Sequence, residues 1–372
     1  MKRWGAFVAV ALGLAAFASS AGAWGSTGHH YIATHYSQHL PPGLDGLKSY
    51  DAVVNAHVMD PDNRKSTVPN EAPRHFIDID AYPEFAADTL SHDRAYLEAK
   101  WGATTVLNRG VVPWAVVEVT TYLTTLFQQA DYDSVALEIA DLCHYVGDAH
   151  QPLHCTQNYD GQLTGNNGIH ARYESNMLNT YIGDVQTPPE VVEYIPSPVD
   201  EMFNIVRDSW NAIPTVLNGD NVAKVASGGS TTSTIYYQTL WQETQDMTEQ
   251  RLSEASRQTA SYVFTAWVNA GSPVVPGSTP VSVAGASLAP LLEVSSNPAR
   301  GTVAFRYRAA VAPALDVFDA RGAHVARLAA SAASGTVSWN PRAAGSSVPA
   351  GIYFIQLSTP GARLVRRLAY LP

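Results

Sequence analysis

Apolar residues recur at helical spacing up to about residue 270 and at alternating spacing in the remainder of the chain. The segment 134–149 carries two stripes at the i, i+3, i+4 spacing of a helix face, one of them apolar and one with polar groups: Val135, Ile139, Leu142 and Val146, then Leu137, Asp141, His144 and Asp148. A helix with both stripes is expected to be buried on two sides. Further helices are predicted over 113–130 and 247–270, so residues 24–270 are expected to form a mainly α-helical domain.

The character of the chain changes after residue 270. Residues 271–290 contain no charged residue and consist mostly of Gly, Ser, Pro and Val, which is typical of a linker. Short alternating segments separated by turn residues follow, and they predict strands over 302–307, 314–319, 335–340, 351–357 and 363–368. Residues 291–372 are therefore expected to form a small immunoglobulin-like β-sandwich.

The N-terminus has the pattern of a secretory signal peptide. Lys2 and Arg3 precede an apolar run over 5–18, and Ala21-Gly22-Ala23 resembles a cleavage site. The run is too short for a comfortable membrane span of about 20 residues. We therefore predict that residues 1–23 are removed, that the mature chain begins at Trp24, and that it is secreted or surface-located without an integral membrane span.

Charge is distributed unevenly between the two domains. The whole chain carries a formal net charge of −10, whereas the nine arginines and three acidic residues from 291 onward give that part +6. Residues 24–290 carry −18, which is atypical of a sequence-specific DNA-binding protein. If this domain acts on phosphodiesters, bound cations must supply the positive charge.

Five potential metal ligands follow one another in the middle of the helical domain. His144 and Asp148 lie one helical turn apart, His154 comes just after the predicted end of the helix at Gln151-Pro152, and His170 and Glu174 are again four residues apart. Histidine and carboxylate ligands suit zinc at hydrolytic sites. Further candidates are the acidic cluster 60–62 with His75, and the α-amine of Trp24 with His29.

The two cysteines, Cys143 and Cys155, flank this motif. A disulfide and simple packing in the core are equally plausible for an exported protein, and zinc ligation by the thiols is less favoured. The spacing alone does not separate a disulfide from core packing.

These motifs resemble a zinc-dependent superfamily that comprises single-strand-specific nucleases and bacterial phospholipases C. The resemblance rests on Trp-Gly-x-x-Gly-His at the predicted mature terminus, on His75-Phe-Ile-Asp78, and on His144-Tyr-Val-Gly-Asp-Ala-His-Gln-Pro-Leu-His154. It covers residues 24 to about 270. It implies a compact α-helical domain that holds three Zn²⁺ ions at the base of a cleft.

The resemblance also implies which residues hold each ion. The first zinc would be bound by Asp60, His75, His144 and Asp148. The second would be bound by His154, His170 and Glu174. The third would be bound by the amine and carbonyl of Trp24, by His29 and by Asp148, which bridges two ions and orients the attacking water. Asp62 is the alternative to Asp60, which is preferred because it precedes His75 by fifteen residues, and His57 is a weaker one.

The substrate class is less sharply indicated than the metal ligands. The resemblance assigns Phe76 to base stacking and Asp78 to the base edge, as in the nucleases, and Lys65 is a candidate phosphate contact. Glu174 instead matches the phospholipases C, where nucleases have Asp. We therefore expect a secreted endonuclease for single-stranded DNA and RNA, with a phospholipase C as the alternative and a non-catalytic surface protein as a third hypothesis.

The predicted β-sandwich resembles the sorting domain of bacterial proteins exported through the type IX route. The resemblance rests on Asn297-Pro298, on the segments 317–319 and 351–353, and on the arginine-rich last strand, although lysine is absent. It implies that residues 291–372 engage the export machinery and take no part in catalysis. A generic immunoglobulin-like accessory module is the alternative.

Overall fold

A computed structural model describes residues 24–279, 291–295, 297–309, 313–330, 334–342, 348–359 and 362–371. The predicted signal peptide, most of the predicted linker and the last residue lie outside these ranges. The helices of the described part are α1 Gly25–His35, α2 Asp51–His57, α3 Asp60–Arg64, α4 Pro83–Ala86, α5 Arg94–Trp101, α6 Ala103–Asn108, α7 Val112–Gln129, α8 Tyr132–His150, α9 Ile169–Ala171, α10 Leu178–Tyr181, α11 Pro198–Ala226 and α12 Thr234–Asn269. A π-helix, Arg172–Met177, joins α9 to α10.

Helix α8 lies at the centre of the helical domain. It packs against α1, α2, α7, α11 and α12. The apolar stripe is therefore buried throughout, and the second stripe is buried at His144 and Asp148, whereas Leu137 at its start is 43% exposed. Asp131 caps the start of α8, because its carboxylate accepts a hydrogen bond from the backbone N–H of Ser134 at 3.2 Å. The helix ends where Gln151 adopts an extended conformation before Pro152. The chain then forms a short 3₁₀ turn, Pro152–Cys155, which carries His154 back towards the helix.

The predicted helical domain is confirmed, with changes at its boundaries. The predicted helix over 113–130 is α7, and the predicted last helix over 247–270 begins earlier, at Thr234, where Ser233 caps the first turn. The amphipathic helix α11 was not predicted, and it contains Pro214 in its interior. No helix of the described residues is long and apolar enough to span a bilayer.

The described start of the predicted linker lies against the helical domain. Val275 is buried, and the backbone N–H of Gly46 donates to Oγ of Ser278 at 2.9 Å. The carboxylate of Asp45 accepts hydrogen bonds from Thr279. Residues 273–279 therefore behave as an extension of this domain.

The C-terminal part is a sandwich of two antiparallel sheets, as predicted. Its strands are β1 Leu291–Val294, β2 Val303–Arg308, β3 Ala314–Asp319, β4 His324–Leu328, β5 Ser334–Trp339, β6 Gly351–Thr359 and β7 Ala362–Tyr370. The sheets have the strand orders β1-β2-β5 and β4-β3-β6-β7. Alternate residues such as Phe305, Leu315 and Ile355 fill the space between them.

Both cysteines are free thiols that lie in the core of the helical domain. Burial raises the pKa of both thiols, Cys143 and Cys155, well above the usual value and beyond the range of ordinary thiolate chemistry. Of the two alternatives that the sequence left open, core packing is the one that the structure has.

Candidate metal centre

Helix α8 supplies the middle of a buried cluster of histidines and carboxylates. His144 and Asp148 are fully buried and lie one turn apart on the same face. Nδ1 of His144 donates to the carbonyl oxygen of Val58 at 2.8 Å, and Nε2 therefore faces the cluster. A hydrogen bond of this kind fixes both the tautomer and the orientation of a ligand histidine.

His75 meets these two residues from the end of a 3₁₀ turn, Ala72–His75. Its Nδ1 lies 2.8 Å from Oδ2 of Asp148 and 3.0 Å from Nε2 of His144. Its Nε2 points to the opposite side, where Oε1 of Glu71 lies 3.6 Å away. His75, His144 and Asp148 thus form a buried triad whose ligand atoms lie within 4.8 Å of one another.

The acidic residue next to this triad is Asp62, whereas the sequence analysis expected Asp60 at this place. Oδ1 of Asp62 lies 3.3 Å from Nε2 of His144 and 3.6 Å from Nδ1 of His75. Asp60 instead pairs with His57 at 2.7 Å, and the side chains of both are nearly half exposed. Residues i and i+2 of an α-helix are rotated by about 200° about the helix axis, so Asp60 and Asp62 of α3 cannot face the same side. The preference for Asp60 is therefore corrected to Asp62.

Helix α1 brings His29 to the other side of α8. The imidazole of His29 stacks on that of His144 at 3.8 Å between ring centroids, and its Nε2 lies 3.5 Å from Oδ1 of Asp148. The two helices approach closely because residue 147 is Gly, where a Cβ would lie 3.2 Å from Nδ1 of His29 and 2.8 Å from Cδ1 of Ile32. The Gly before Asp148 in the α8 motif thus has a defined packing role.

Trp24, the predicted mature terminus, is fully buried at the start of α1. Its ring packs against that of Tyr173 at 5.7 Å, and its carbonyl accepts a hydrogen bond from Gly28 N–H at 3.1 Å. A Cβ on Gly28 would lie 2.7 Å from Cβ of Trp24. A Cβ on Gly25 would lie 3.2 Å from the backbone oxygen of Glu174. Both glycines of the N-terminal motif therefore allow the terminus to lie against the segment that carries Glu174.

A second triad is formed by His154, His170 and Glu174. Nε2 of His170 lies 2.8 Å from Oε2 of Glu174 and 3.2 Å from Nε2 of His154. Nδ1 of His154 donates to the His75 carbonyl oxygen at 2.6 Å, and that of His170 to the Tyr159 carbonyl oxygen at 2.9 Å. Both Nε2 atoms therefore face Glu174.

The helical segment that carries His170 and Glu174 is not a regular α-helix. His170 is in α9, whereas Glu174 is in the π-helix Arg172–Met177. Such single π turns occur frequently at functional sites. The two side chains lie on one face of the helix, as the spacing predicts, but the sequence does not reveal the wider turn.

Asp148 is the residue through which the parts of the cluster are joined. Its Oδ2 contacts His75, and its Oδ1 lies 3.5 Å from His29 and 3.7 Å from Nδ1 of His154. Among the described residues, three groups with metal-binding geometry result: His29, Asp62 and His144; His75, His144 and Asp148; His154, His170 and Glu174.

The unpaired polar atoms of the cluster indicate that its three groups of ligands suit cations. Among the residues that the structure describes, several buried atoms of the cluster have no hydrogen-bond partner: both ring nitrogens of His29, Nε2 of His75, and Oδ1 of Asp62 and of Asp148. Each such atom costs about 1–3 kcal/mol when it stays unpaired. Zinc ions with histidine and carboxylate ligands would satisfy those that face the cluster, namely Nε2 of His29 and Oδ1 of Asp62 and of Asp148.

The electrostatics of the cluster without a cation lead to the same conclusion. Burial raises the pKa of Asp148 well above its usual value, with Asp62 and Glu174 adding repulsion. Burial also lowers the pKa of His29 well below 6.5, so this ring stays neutral. Neutral imidazoles and closely spaced carboxylates are the ligand states that a divalent cation stabilises.

A polar network that was not predicted lies behind the ligands and supports them. The Tyr145 hydroxyl donates to Glu71 and accepts from Nη2 of Arg64 at 2.7 Å, while Arg64 also forms a salt bridge with Asp141 at 2.6 Å. Burial raises the pKa of Glu71, but the nearby Nε2 of His75 and the contacts from the Tyr145 hydroxyl and the Arg64 guanidinium outweigh burial and hold the pKa at about 2. Glu71 is thus an ionised carboxylate beside Nε2 of His75.

Gln151 has a comparable role for the second triad. Its Nε2 donates to Oε2 of Glu174 at 3.0 Å, and its Oε1 accepts from the backbone N–H of Leu153. Gln151 belongs to the Gln-Pro-x-His end of the α8 motif, and Glu71 precedes His75 by four residues. These positions are the only signals in the sequence that could have indicated either residue.

A cavity of about 490 Å³ opens beside the cluster. It is lined by three histidines of the centre and by the three predicted substrate-binding residues, among others: Lys65, His75, Phe76, Asp78, His154, Thr156, Tyr159 and His170. Phe76 is held against Gly110, where a Cβ would lie 2.7 Å from Cδ2 of its ring. Burial raises the pKa of Asp78 to about 6. Lys65 forms a salt bridge with Asp62 at 2.5 Å.

The chain was compared with curated proteins, with solved structures and with protein-family models. No curated protein matches the chain. Among solved structures, an alpha-toxin of Clostridium perfringens from an avian strain is 11% identical, with a TM-score of 0.42 over 92% of this chain and 88% of that chain. The alpha-toxin of Clostridium absonum is 10% identical, with a TM-score of 0.38 over 93% and 96% of the two chains.

The family comparison is decisive for the helical domain. The family model of the S1/P1 nucleases matches residues 24–271, a range that contains every residue of the cluster and of the cavity beside it. The chain belongs to the S1/P1 nuclease family.

Proposed function

We propose that the protein is a secreted, zinc-dependent endonuclease that hydrolyses phosphodiester bonds of single-stranded DNA and RNA. Family membership indicates a phosphodiester hydrolase. The observation that carries the proposal is the position of Asp148, whose carboxylate reaches His29, His75 and His154 beside a cavity lined by Phe76. A set of ligands joined in this way is typical of a polynuclear centre.

Three zinc ions would be held by the ligands described above, with one change from the expectation. The first site comprises Asp62, His75, His144 and Asp148. The second comprises His154, His170 and Glu174. The third comprises the amine and carbonyl of Trp24 together with His29 and Asp148. The stacking of His29 on His144 supports closely spaced first and third sites.

When bound, zinc lowers the pKa of a water molecule and stabilises negative charge on a phosphate. Asp148 accepts a hydrogen bond from the attacking water and orients it towards phosphorus. His29 and His75 stay neutral, because burial lowers the pKa of both imidazoles. The chain thus needs no nucleophilic side chain of its own.

The cavity walls support a nucleic acid rather than a lipid as substrate. Phe76 presents a half-buried ring that can stack on a base, a contact worth about 1–3 kcal/mol. The Asp78 carboxylate can accept a hydrogen bond from an exocyclic amine of that base. Lys65, on the same wall, brings a positive charge to the path of the phosphate while it neutralises Asp62.

Export would create the third metal site. Cleavage before Trp24 frees the α-amine of a buried residue at the start of α1, the helix that carries His29. An extra N-terminal methionine would displace that amine. We therefore predict that the extended protein loses about one zinc ion per chain and most of its activity, as measured by metal analysis and by hydrolysis of single-stranded DNA. Equal zinc content and activity in both forms would contradict the assignment.

The β-sandwich is proposed to engage the export machinery, as its resemblance to sorting domains implies. A chain truncated after residue 290 would then accumulate in the periplasm, whereas the full chain would reach the medium or the cell surface. Identical localisation of both chains would exclude this role.

The choice of substrate is tested with the purified mature protein. Single-stranded DNA, RNA and phosphatidylcholine vesicles are incubated with the protein in the presence and absence of a chelator. We expect chelator-sensitive hydrolysis of both nucleic acids. Release of head groups from the vesicles alone would establish the phospholipase C alternative, and inactivity of the zinc-loaded protein on every substrate would establish a non-catalytic role.

A further inference from the structure

The outer face of the sheet β4-β3-β6-β7 carries two phenylalanines side by side. Phe318 of β3 is in register with Phe354 of β6, and both are half-buried. Val365 of β7 extends this apolar surface and is 43% exposed. The neighbouring residues along the strands, such as Val317 and Ile355, point into the sandwich and are fully buried. The phenylalanines therefore do not belong to the core of the domain.

A shallow cavity of about 420 Å³ lies on this face. Its walls include both phenylalanines together with polar groups: Phe318, Asp319, Phe354, Gln356, Arg363 and Val365. The guanidinium of Arg363 donates to the side-chain oxygen of Gln356. Arg367 is the register neighbour of Phe354 on β7. The face thus combines aromatic rings, a side-chain amide and two guanidinium groups.

The arginines of this face have no acidic partner among the described residues. The domain has only three acidic residues. Glu293 pairs with Arg306, and Asp316 pairs with Arg327. Oδ1 of Asp319 accepts hydrogen bonds from the backbone N–H groups of Arg321 and Ala323, which holds it in the turn after β3.

We propose that this face, defined by Phe318, Phe354, Arg363 and Arg367, binds single-stranded nucleic acid and retains the polymer on the enzyme. The proposal rests on the function proposed above. The helical domain and linker carry a net charge of −18, which repels a polyanion at long range, whereas the sandwich carries +6. Aromatic rings that stack on bases, beside guanidinium groups that contact the backbone, are the usual means of binding single strands.

The charge part of the proposal is tested with the zinc-loaded full-length protein. The double variant R363E/R367E is compared with R300E/R342E, which has the same net charge and changes exposed arginines elsewhere in the domain. Binding of a labelled, hydrolysis-resistant phosphorothioate strand is measured by anisotropy at several salt concentrations. We expect the R363E/R367E variant to bind at least tenfold more weakly, with a salt slope smaller by about 1.4 for two lost contacts.

The aromatic part is tested at Phe354. The variant F354L keeps an apolar side chain but loses the stacking ring, whereas F354W keeps an aromatic ring. We expect F354L to weaken binding about tenfold at an unchanged salt slope, and F354W to bind as the wild type does. Equal thermal stability of all variants verifies that the domain remains folded.

Kinetics separate this inference from the proposed catalytic function. In R363E/R367E, KM for a long single strand should rise about tenfold, while kcat and the hydrolysis of a dinucleotide stay unchanged. If the face variants and R300E/R342E behave alike on long strands, the face does not bind nucleic acid, whatever the enzyme hydrolyses. If the protein binds strands through this face but hydrolyses none, the proposed catalytic function is wrong and the binding inference remains. Preferential binding of anionic vesicles or a neutral polysaccharide would overturn it.

Discussion

The two aspartates of α3 provide a sharp test of the proposed first metal site. Asp62→Asn and Asp60→Asn each replace one carboxylate oxygen with an amide nitrogen and leave size and shape nearly unchanged. Only Asp62 lies within 3.3–3.6 Å of ring nitrogens of His144 and His75. Asp60 is 47% exposed and pairs with the similarly exposed His57. The two variants therefore differ in location rather than in chemistry.

The expected effects differ by about two orders of magnitude. Removing one partner from a buried cluster of charges costs about 3–5 kcal/mol, which corresponds to a hundredfold or greater loss of zinc affinity. An exposed ion pair is worth about 0–1 kcal/mol, which is less than a tenfold effect. Asp62→Asn should thus lose zinc from the first site and nearly all activity, and Asp60→Asn should resemble the wild type.

Competition with a chromophoric chelator measures the zinc affinity of each variant, and elemental analysis gives the zinc content per chain. Hydrolysis of single-stranded DNA is measured on the same samples. Loss of zinc and activity in Asp60→Asn, with both retained in Asp62→Asn, would refute the corrected ligand set and restore the assignment that the spacing from His75 favoured.

Three further substitutions test the surroundings of the centre. Gly147→Ala places a Cβ 3.2 Å from Nδ1 of His29, which should lower the free energy of unfolding by about 1–3 kcal/mol. Zinc analysis should show a partly filled centre, and Tm should fall. Glu71→Gln removes the carboxylate behind His75 and should weaken zinc binding about 10–100-fold in a chelator titration, whereas Glu118→Gln, at an exposed partner of Arg74, should not. Asp78 has a pKa raised to about 6, so its carboxylate becomes protonated as the pH falls from about 7 to about 5. KM for single-stranded DNA should therefore rise over that interval in the wild type and stay level in Asp78→Asn.

Periodicity and motif spacing were sufficient to predict features that depend on a single helix or strand. The stripe of His144 and Asp148 predicted a helix with a buried polar face, and α8 has this face. The strand predicted over 314–319 is β3, because alternation with turn residues on both sides leaves little freedom in its limits.

Other features depend on contacts that a sequence does not display. Which of Asp60 and Asp62 faces inward is decided by the direction in which the short helix α3 packs, and both residues have the same chemistry. The π turn around Glu174 follows an α-helical spacing of His170 and Glu174 in the sequence, and no residue pattern distinguishes it from a regular α-helix. The roles of Glu71 and Gln151 arise only when distant segments meet. Strand β4, which was not predicted, is short and carries polar residues at its exposed edge.

The central claim is that a processed terminus and scattered side chains form one centre that binds three zinc ions. Anomalous diffraction at the zinc edge, from crystals of the mature chain that begins at Trp24, tests it directly. The account predicts three peaks, one at each of the sites assigned above, with two of them contacting Asp148. An active enzyme without zinc peaks, or with peaks remote from Asp148, would contradict it.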